Sequence, residues 1–180
     1  MKKYALIGFM GCGKTSIGPL LARELRLPFL DLDGEIEKRT GMKVRDIFTT
    51  KGEGAFRALE EEILAEISRD DCGCVLSCGG GIIVSQRNRD LLKTAFHTVW
   101  IDVPESELFR RLEHQWKERP LLGQRAQQKN AQELLRSRLP LYASSSSFQY
   151  RWKNGESPVD SARSIVSLLQ SQAPINAHRS

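Results

Sequence analysis

Gly8-Phe9-Met10-Gly11-Cys12-Gly13-Lys14-Thr15 is the stretch from which the rest of the chain is read. It has glycine, four residues, then Gly-Lys-Thr, a spacing in which backbone N–H groups converge on phosphate oxygens that larger side chains would block. In such loops the lysine lies across the outer phosphates and the threonine hydroxyl ligates Mg²⁺. The flanks agree with that reading. Tyr4-Ala5-Leu6-Ile7 has the composition of a buried parallel strand, and Ile17 to Leu25 that of a helix. A chance match in a chain this long has a probability of about one in a hundred. The bland alternative is a glycine-rich turn.

Strand-like and helical runs alternate along the chain. After a first helix near Lys14 to Leu25, interrupted by Pro19, Phe29-Leu30-Asp31-Leu32 reads as a second strand. Two short helical pieces follow, divided by Gly41 and Gly52. A longer helix over about Glu53 to Arg69 carries Phe56, Leu59, Ile63, Leu64 and Ile67 at helical spacing. Cys74-Val75-Leu76-Ser77 is a third strand, a helix falls near Ser85 to Thr94, and Thr98 to Ile101 is a fourth strand. Pro104 suits the first turn of a helix whose apolar stripe is Leu108, Phe109, Leu112 and Trp116. Gln132 to Leu139 is helical, Ser147 to Trp152 an edge strand. Ser157, Pro158 and Asp160 form a capping box for a last helix running to about Leu169. The alternation predicts an α/β fold with a parallel sheet covered on both faces and ligands beyond the carboxyl ends of its strands.

The 180 residues are expected to form one domain over 1–172, with a polar mobile flap inside it and a disordered tail over 173–180. Hydrophobic residues at 40 % and charged residues at 27 % are ordinary for a soluble protein. The net charge of +5 suits anionic ligands, but no basic run interleaved with aromatics speaks for nucleic acid. No apolar stretch approaches the ~18 residues of a membrane span. Cys12, Cys72, Cys74 and Cys78 are expected to be reduced thiols in a cytoplasm, and the three histidines are too scattered to complete a structural metal site. No helix has a spare apolar face, which predicts a monomer.

Several side chains invite a chemical reading and a bland one. Asp31 and Asp33, two apart at the end of a strand, are expected to point the same way, one towards Mg²⁺ through water and one towards a substrate hydroxyl. A helix cap explains them equally well. Arg57, one turn from Glu53, Glu60 and Glu61, is either a surface ion-pair hub or a guanidinium oriented for an anion. Cys78-Gly79-Gly80-Gly81 is a second anion or hydroxyl site, or a tight turn. Arg119 is placed to act as an arginine finger, and Arg138 sits where Pro140 is expected to interrupt a helix. Either arginine, read singly, is an ordinary surface residue.

Taken together, these residues resemble the shikimate kinase family. The likeness runs from the phosphate loop through Asp31-Leu32-Asp33, Gly52-Glu53, Phe56-Arg57, Glu60 and Gly79-Gly80-Gly81 to Arg119-Pro120-Leu121-Leu122 and Arg138 with Pro140-Leu141-Tyr142. It covers about residues 3 to 170. The resemblance implies a three-layer α/β/α P-loop kinase fold, a five-stranded parallel sheet in the order 2-3-1-4-5, and a lid over about 112–128. It implies transfer of the γ-phosphoryl of ATP to the 3-hydroxyl of shikimate, with Mg²⁺ as cofactor. Catalytic roles fall on Lys14, Asp33 and Arg119. ATP contacts fall on Gly11, Cys12, Gly13, Lys14, Thr15, Ser16, Arg111 (stacking on adenine) and Arg119. Shikimate contacts fall on Asp33, Phe48, Phe56, Arg57, Gly79, Gly80, Gly81 and Arg138, and Mg²⁺ on Thr15 and, through water, Asp31. Cys12 and Cys78 depart from the small residues and threonine usual there, and the segment Asn154–Pro158 matches weakly. Two rivals keep the phosphate loop: another small-acceptor kinase, such as one for gluconate, and a nucleotide-binding module without catalysis.

Overall fold

A computed structural model describes residues 1–116 and 124–171, with side chains for 1–113 and 129–171. Five parallel strands, β1 (Lys3–Ile7), β2 (Phe29–Asp31), β3 (Cys74–Ser77), β4 (His97–Asp102) and β5 (Phe148–Arg151), form one sheet in the order β2-β3-β1-β4-β5. That is the predicted order. Alanine, valine, leucine and isoleucine give β1 and β3 side chains that are apolar on both faces, as a strand covered by helices requires. Leu6, Ile7, Val75 and Leu76 are accordingly inaccessible.

The helices are α1 (Lys14–Leu25), α2 (Leu32–Thr40), α3 (Val44–Arg69), α4 (Gln86–Ala95), α5 (Glu105–Trp116), α6 (Gln124–Ser145) and α7 (Pro158–Ser171), with a 3₁₀ turn at Ile82–Val84. α1 packs on α7, while α3, α4 and α6 pack in succession. α3 is two helices joined across a kink at Gly52, where φ is +81°. Ser157 and Asp160 make the expected capping box: Ser157 N–H donates to Asp160 Oδ2 at 3.3 Å and Asp160 N–H to Ser157 Oγ at 3.2 Å. None of the described helices is long and apolar enough to cross a membrane.

Three expectations are corrected. β2 stops at Asp31, so Asp33 belongs to the first turn of α2 and alternation along a strand does not orient the two carboxylates. The cause is local: Asp31 is the helix N-cap, its Oδ1 accepting from Gly34 N–H at 3.1 Å. Pro140 does not interrupt α6, which runs through it to Ser145. The proline gives up only the bond to the carbonyl of Arg136, and the buried Leu135 and Tyr142 hold both sides of the position in the core. Pro104 lies one residue before α5, its carbonyl receiving the N–H groups of Glu107 and Leu108. Of the span expected to form a lid, 112–116 close α5 and 124–128 open α6. Residues 117–123, with Arg119, and the tail over 173–180 lie outside the described residues.

The bend from β1 into the loop fixes Gly8 at φ +149°. A Cβ there would lie 2.8 Å from the carbonyl oxygen of Ile101 in β4. Gly8→Ala is therefore expected to cost ~1–3 kcal/mol of stability, because a backbone carbonyl in mid-sheet has no room to retreat. Chemical denaturation reads this as a lower midpoint at unchanged m-value.

Candidate active site

β1 delivers the phosphate loop to the carboxyl edge of the sheet, between β3 and β4. Gly11 and Gly13, at φ +78° and +101°, turn it back into α1. The Lys14 ammonium is buried under the loop and donates to Gly8 O at 2.7 Å, Phe9 O at 3.1 Å and Cys12 Sγ at 3.4 Å. Above it opens a cleft of about 460 Å³. Gly11, Gly13, Lys14, Thr15, Ser16 and Arg111 line the donor side, as the sequence leads one to expect. The Cys12 side chain does not reach the cleft; it is 1 % exposed beneath the loop.

The opposite wall is made by Asp31, Asp33, Gly79 and Gly80. β2 and β3 bring them there, with Asp31 and Ser77 register partners at the same edge. Behind this wall lies a second set of expected residues. Arg57, on α3, pairs with the fully buried Glu60 and, at 3.0 Å, with Glu53. Its guanidinium packs so closely on Gly81 that a Cβ there would come within 2.8 Å of Arg57 Cζ and would displace it. Arg138, on α6, reaches the same turn, donating to Gly80 O at 3.3 Å. Phe48 and Phe56 pack with ring centroids 4.5 Å apart, and the Arg57 guanidinium lies 5.3 Å from the Phe56 ring. So helices distant in sequence place two guanidinium groups on one glycine turn.

Asp33 Oδ1 and Glu60 Oε1 are buried without a hydrogen-bond partner. Both face Gly79, where a Cβ would stand 3.3 Å from the first and 3.1 Å from the second. Burial pushes the Asp33 carboxyl above the ordinary carboxylate range, the neighbouring Asp31 adds to this, and Lys14 and Arg57 oppose it. Burial likewise raises Glu60 against the pull of Arg57. Such oxygens are poised to accept from hydroxyl donors.

Arg111 borders both this cleft and a smaller cavity of about 350 Å³ beside Trp152, Asn154, Gly155 and Glu156. Its Nε donates to Glu107 Oε1 at 2.7 Å, its Nη1 to Gly11 O at 3.3 Å, and its Cζ lies 4.7 Å from the centroid of the Trp152 ring. Glu107 also binds Arg110, and these guanidinium hydrogen bonds hold its carboxyl at about 2. The sequence reading missed Glu107 and Trp152. The i,i+4 spacing of Glu107 and Arg111 was a usable signal; nothing local marks Trp152, which comes from beyond β5.

Sheet order, phosphate loop and facing carboxylates place the chain among the P-loop kinases. The shikimate kinase family model matches residues 10–170. The shikimate kinase of Rhodococcus erythropolis is 40 % identical over 169 residues, 93 % of this chain and 97 % of that one. That of Nostoc punctiforme is 37 % identical over 167 residues, 91 % of this chain and 88 % of the relative. Among solved structures, shikimate kinase from Acinetobacter baumannii in complex with shikimate superposes with a TM-score of 0.85 at 34 % identity, covering 95 % of this chain and 94 % of that one. The enzyme from Aquifex aeolicus gives 0.77 at 32 % identity, over 93 % and 96 %. The chain belongs to the shikimate kinase family.

A carboxyl with a raised folded-state pKa contributes stability below its unfolded value of about 3.9 and loses it as pH rises through the folded value. Ionised Asp33 therefore costs stability at neutral pH. Asp33→Asn is expected to melt above the parent protein at pH 7, with the gap closing as pH falls through the carboxylate range. An Asn variant melting below the parent at pH 7 would show that Lys14 and Arg57 outweigh burial.

Proposed function

We infer that the chain transfers the γ-phosphoryl of ATP to the 3-hydroxyl of shikimate. The observation that carries the reading is the glycine turn at 79–81. One side of it faces the phosphate-loop cleft, and the other is gripped by Arg57 and Arg138. A planar guanidinium fits a carboxylate in two-pronged fashion, and two of them on one turn suit the acid group of a small ring. The hydroxyls of that ring would then meet the unpartnered oxygen of Asp33.

Phosphoryl transfer needs positioning and charge neutralisation more than covalent help. Lys14 turns from the loop carbonyls to the outer phosphate oxygens, and the loop N–H groups hold the remainder. Asp33 orients the attacking hydroxyl and takes its proton, its raised pKa matching that duty. The acceptor oxygen bonds to phosphorus as the bond to the bridging oxygen of ADP breaks. Thr15 and Asp31, hard oxygen donors on one cleft, fit a divalent cation; they would hold Mg²⁺, the aspartate through water, to neutralise phosphate charge. Arg119 is assigned to the phosphates on the family likeness, and Arg111 to the base, its guanidinium held by Glu107 and set over the Trp152 ring.

ADP release that depends on shikimate, in the presence of Mg²⁺, tests the activity; ATP turnover indifferent to shikimate would overturn it. In the same assay Arg57→Ala is expected to raise the KM for shikimate by ~30-fold or more, the scale for removing one partner of a buried charge pair, and to leave ATP affinity nearly unchanged. An unaltered shikimate KM would put the acceptor elsewhere.

A further inference from the structure

We propose that Tyr142 is a positioning residue of the acceptor site, its hydroxyl pinning the carbonyl of Gly80 and so fixing the turn on which donor loop and acceptor pocket meet. Tyr142 has no exposed surface, yet its hydroxyl ends at Gly80 O at 2.5 Å. The ring is stacked on Trp100 of β4, centroids 6.2 Å apart and planes 21° from parallel. The side chain is thus a rigid strut from the sheet and α6 to one peptide group.

That peptide group occupies a singular place. A Cβ on Gly80 would lie 3.4 Å from Met10 N and 3.5 Å from Gly8 O, so the turn rests directly on the phosphate loop. The adjacent Gly81 is covered by Arg57, and Gly79 by the carboxylates of Asp33 and Glu60. Three successive glycines have more backbone freedom than any other tripeptide and carry no side chain to anchor them. Hydrogen bonds to the backbone must therefore set the turn's shape, and Gly80 O accepts two, from Tyr142 and from Arg138 at 3.3 Å. The two donors differ in what else they are for. Arg138 is claimed by the acceptor's carboxylate in the function proposed above. Tyr142 is sealed away from the cleft and stays on the carbonyl when the arginine is recruited. Burial also raises the phenol pKa, which keeps the hydroxyl a donor.

Tyr142→Phe retains the ring and its stacking and removes the hydroxyl, with its bond to Gly80 O and its contact with Arg138. It is expected to raise the KM for shikimate about 3- to 10-fold, the worth of one hydrogen bond, while the KM for ATP stays within about twofold. Amide exchange followed by mass spectrometry should quicken by about the same 3- to 10-fold in peptides covering 79–81. Ser145→Ala is the control: it deletes the buried bond from Ser145 Oγ to Leu141 O at 2.6 Å on the same helix and should lower the melting temperature without moving the shikimate KM. The proposal is overturned if Tyr142→Phe leaves both the shikimate KM and the exchange at 79–81 unchanged. It is equally overturned if both substrates' KM values rise together or if Ser145→Ala reproduces the change. The proposal rests on the acceptor assignment, but the exchange measurement does not. Wild-type protein inert towards shikimate would sink the functional reading, while exchange alone would still judge Tyr142.

Discussion

One oxygen of Asp33 and one of Glu60 are taken out of water at one point of the sheet edge, and cations must stand near them for the fold to tolerate it. Lys14, Arg57 and Arg138 are those cations. None of them neutralises the pair completely, since one oxygen of each acid is left without a donor. A fold selected for stability alone would fill that place with apolar side chains. What the uncompensated oxygens supply is readiness: hydroxyl groups entering there find acceptors that no protein donor already occupies.

The strand order explains how the groups come together. With β1 between β3 and β4, the loop after β1 and the turn after β3 are neighbours, and Gly80 lies against Gly8 and Met10. β2 on the far side of β3 adds Asp31 and, through the start of α2, Asp33. The acceptor's guanidinium groups come from helices rather than strand ends, Arg57 from α3 and Arg138 from α6. Glycine at 79, 80 and 81 lets backbone and charged side chains approach to contact distance from all three directions. A Cβ at 79 would press on the carboxylates of Asp33 and Glu60, and one at 81 would displace the Arg57 guanidinium.

Most of this was legible in the sequence, and for identifiable reasons. Apolar strands, helical periodicity in α3 and the capping box at Ser157 are local signals, and the parallel sheet follows from their alternation. Parallel order also has a family likeness behind it. Asp33 was assigned to the cleft on a wrong premise. The strand was read one residue too long because Leu32, apolar and fully buried, looks the same at the end of a strand and at the start of a helix. Pro140 misled because a proline's cost is local whereas the packing that overrides it, here around Tyr142, is tertiary. Trp152 over Arg111 was invisible, since only β4–β5 pairing brings the two together. Arg57 could not be told from an exposed ion-pair hub, because the burial of Glu60 and the contact with Gly81 are set by α3 lying against the turn after β3.

The loop itself carries one more consequence of the same physics. Lys14 is fully occupied, with three acceptors for its three N–H bonds. Nucleotide therefore does not meet a bare charge. It competes with Gly8 O, Phe9 O and the thiol of Cys12, and only the difference between phosphate and these partners appears as affinity. The thiol is the weakest of the three acceptors and the first that the ammonium can leave at little cost. A cysteine at this position thus keeps the lysine extended under the loop, within reach of the cleft, while holding it less firmly than a third carbonyl would.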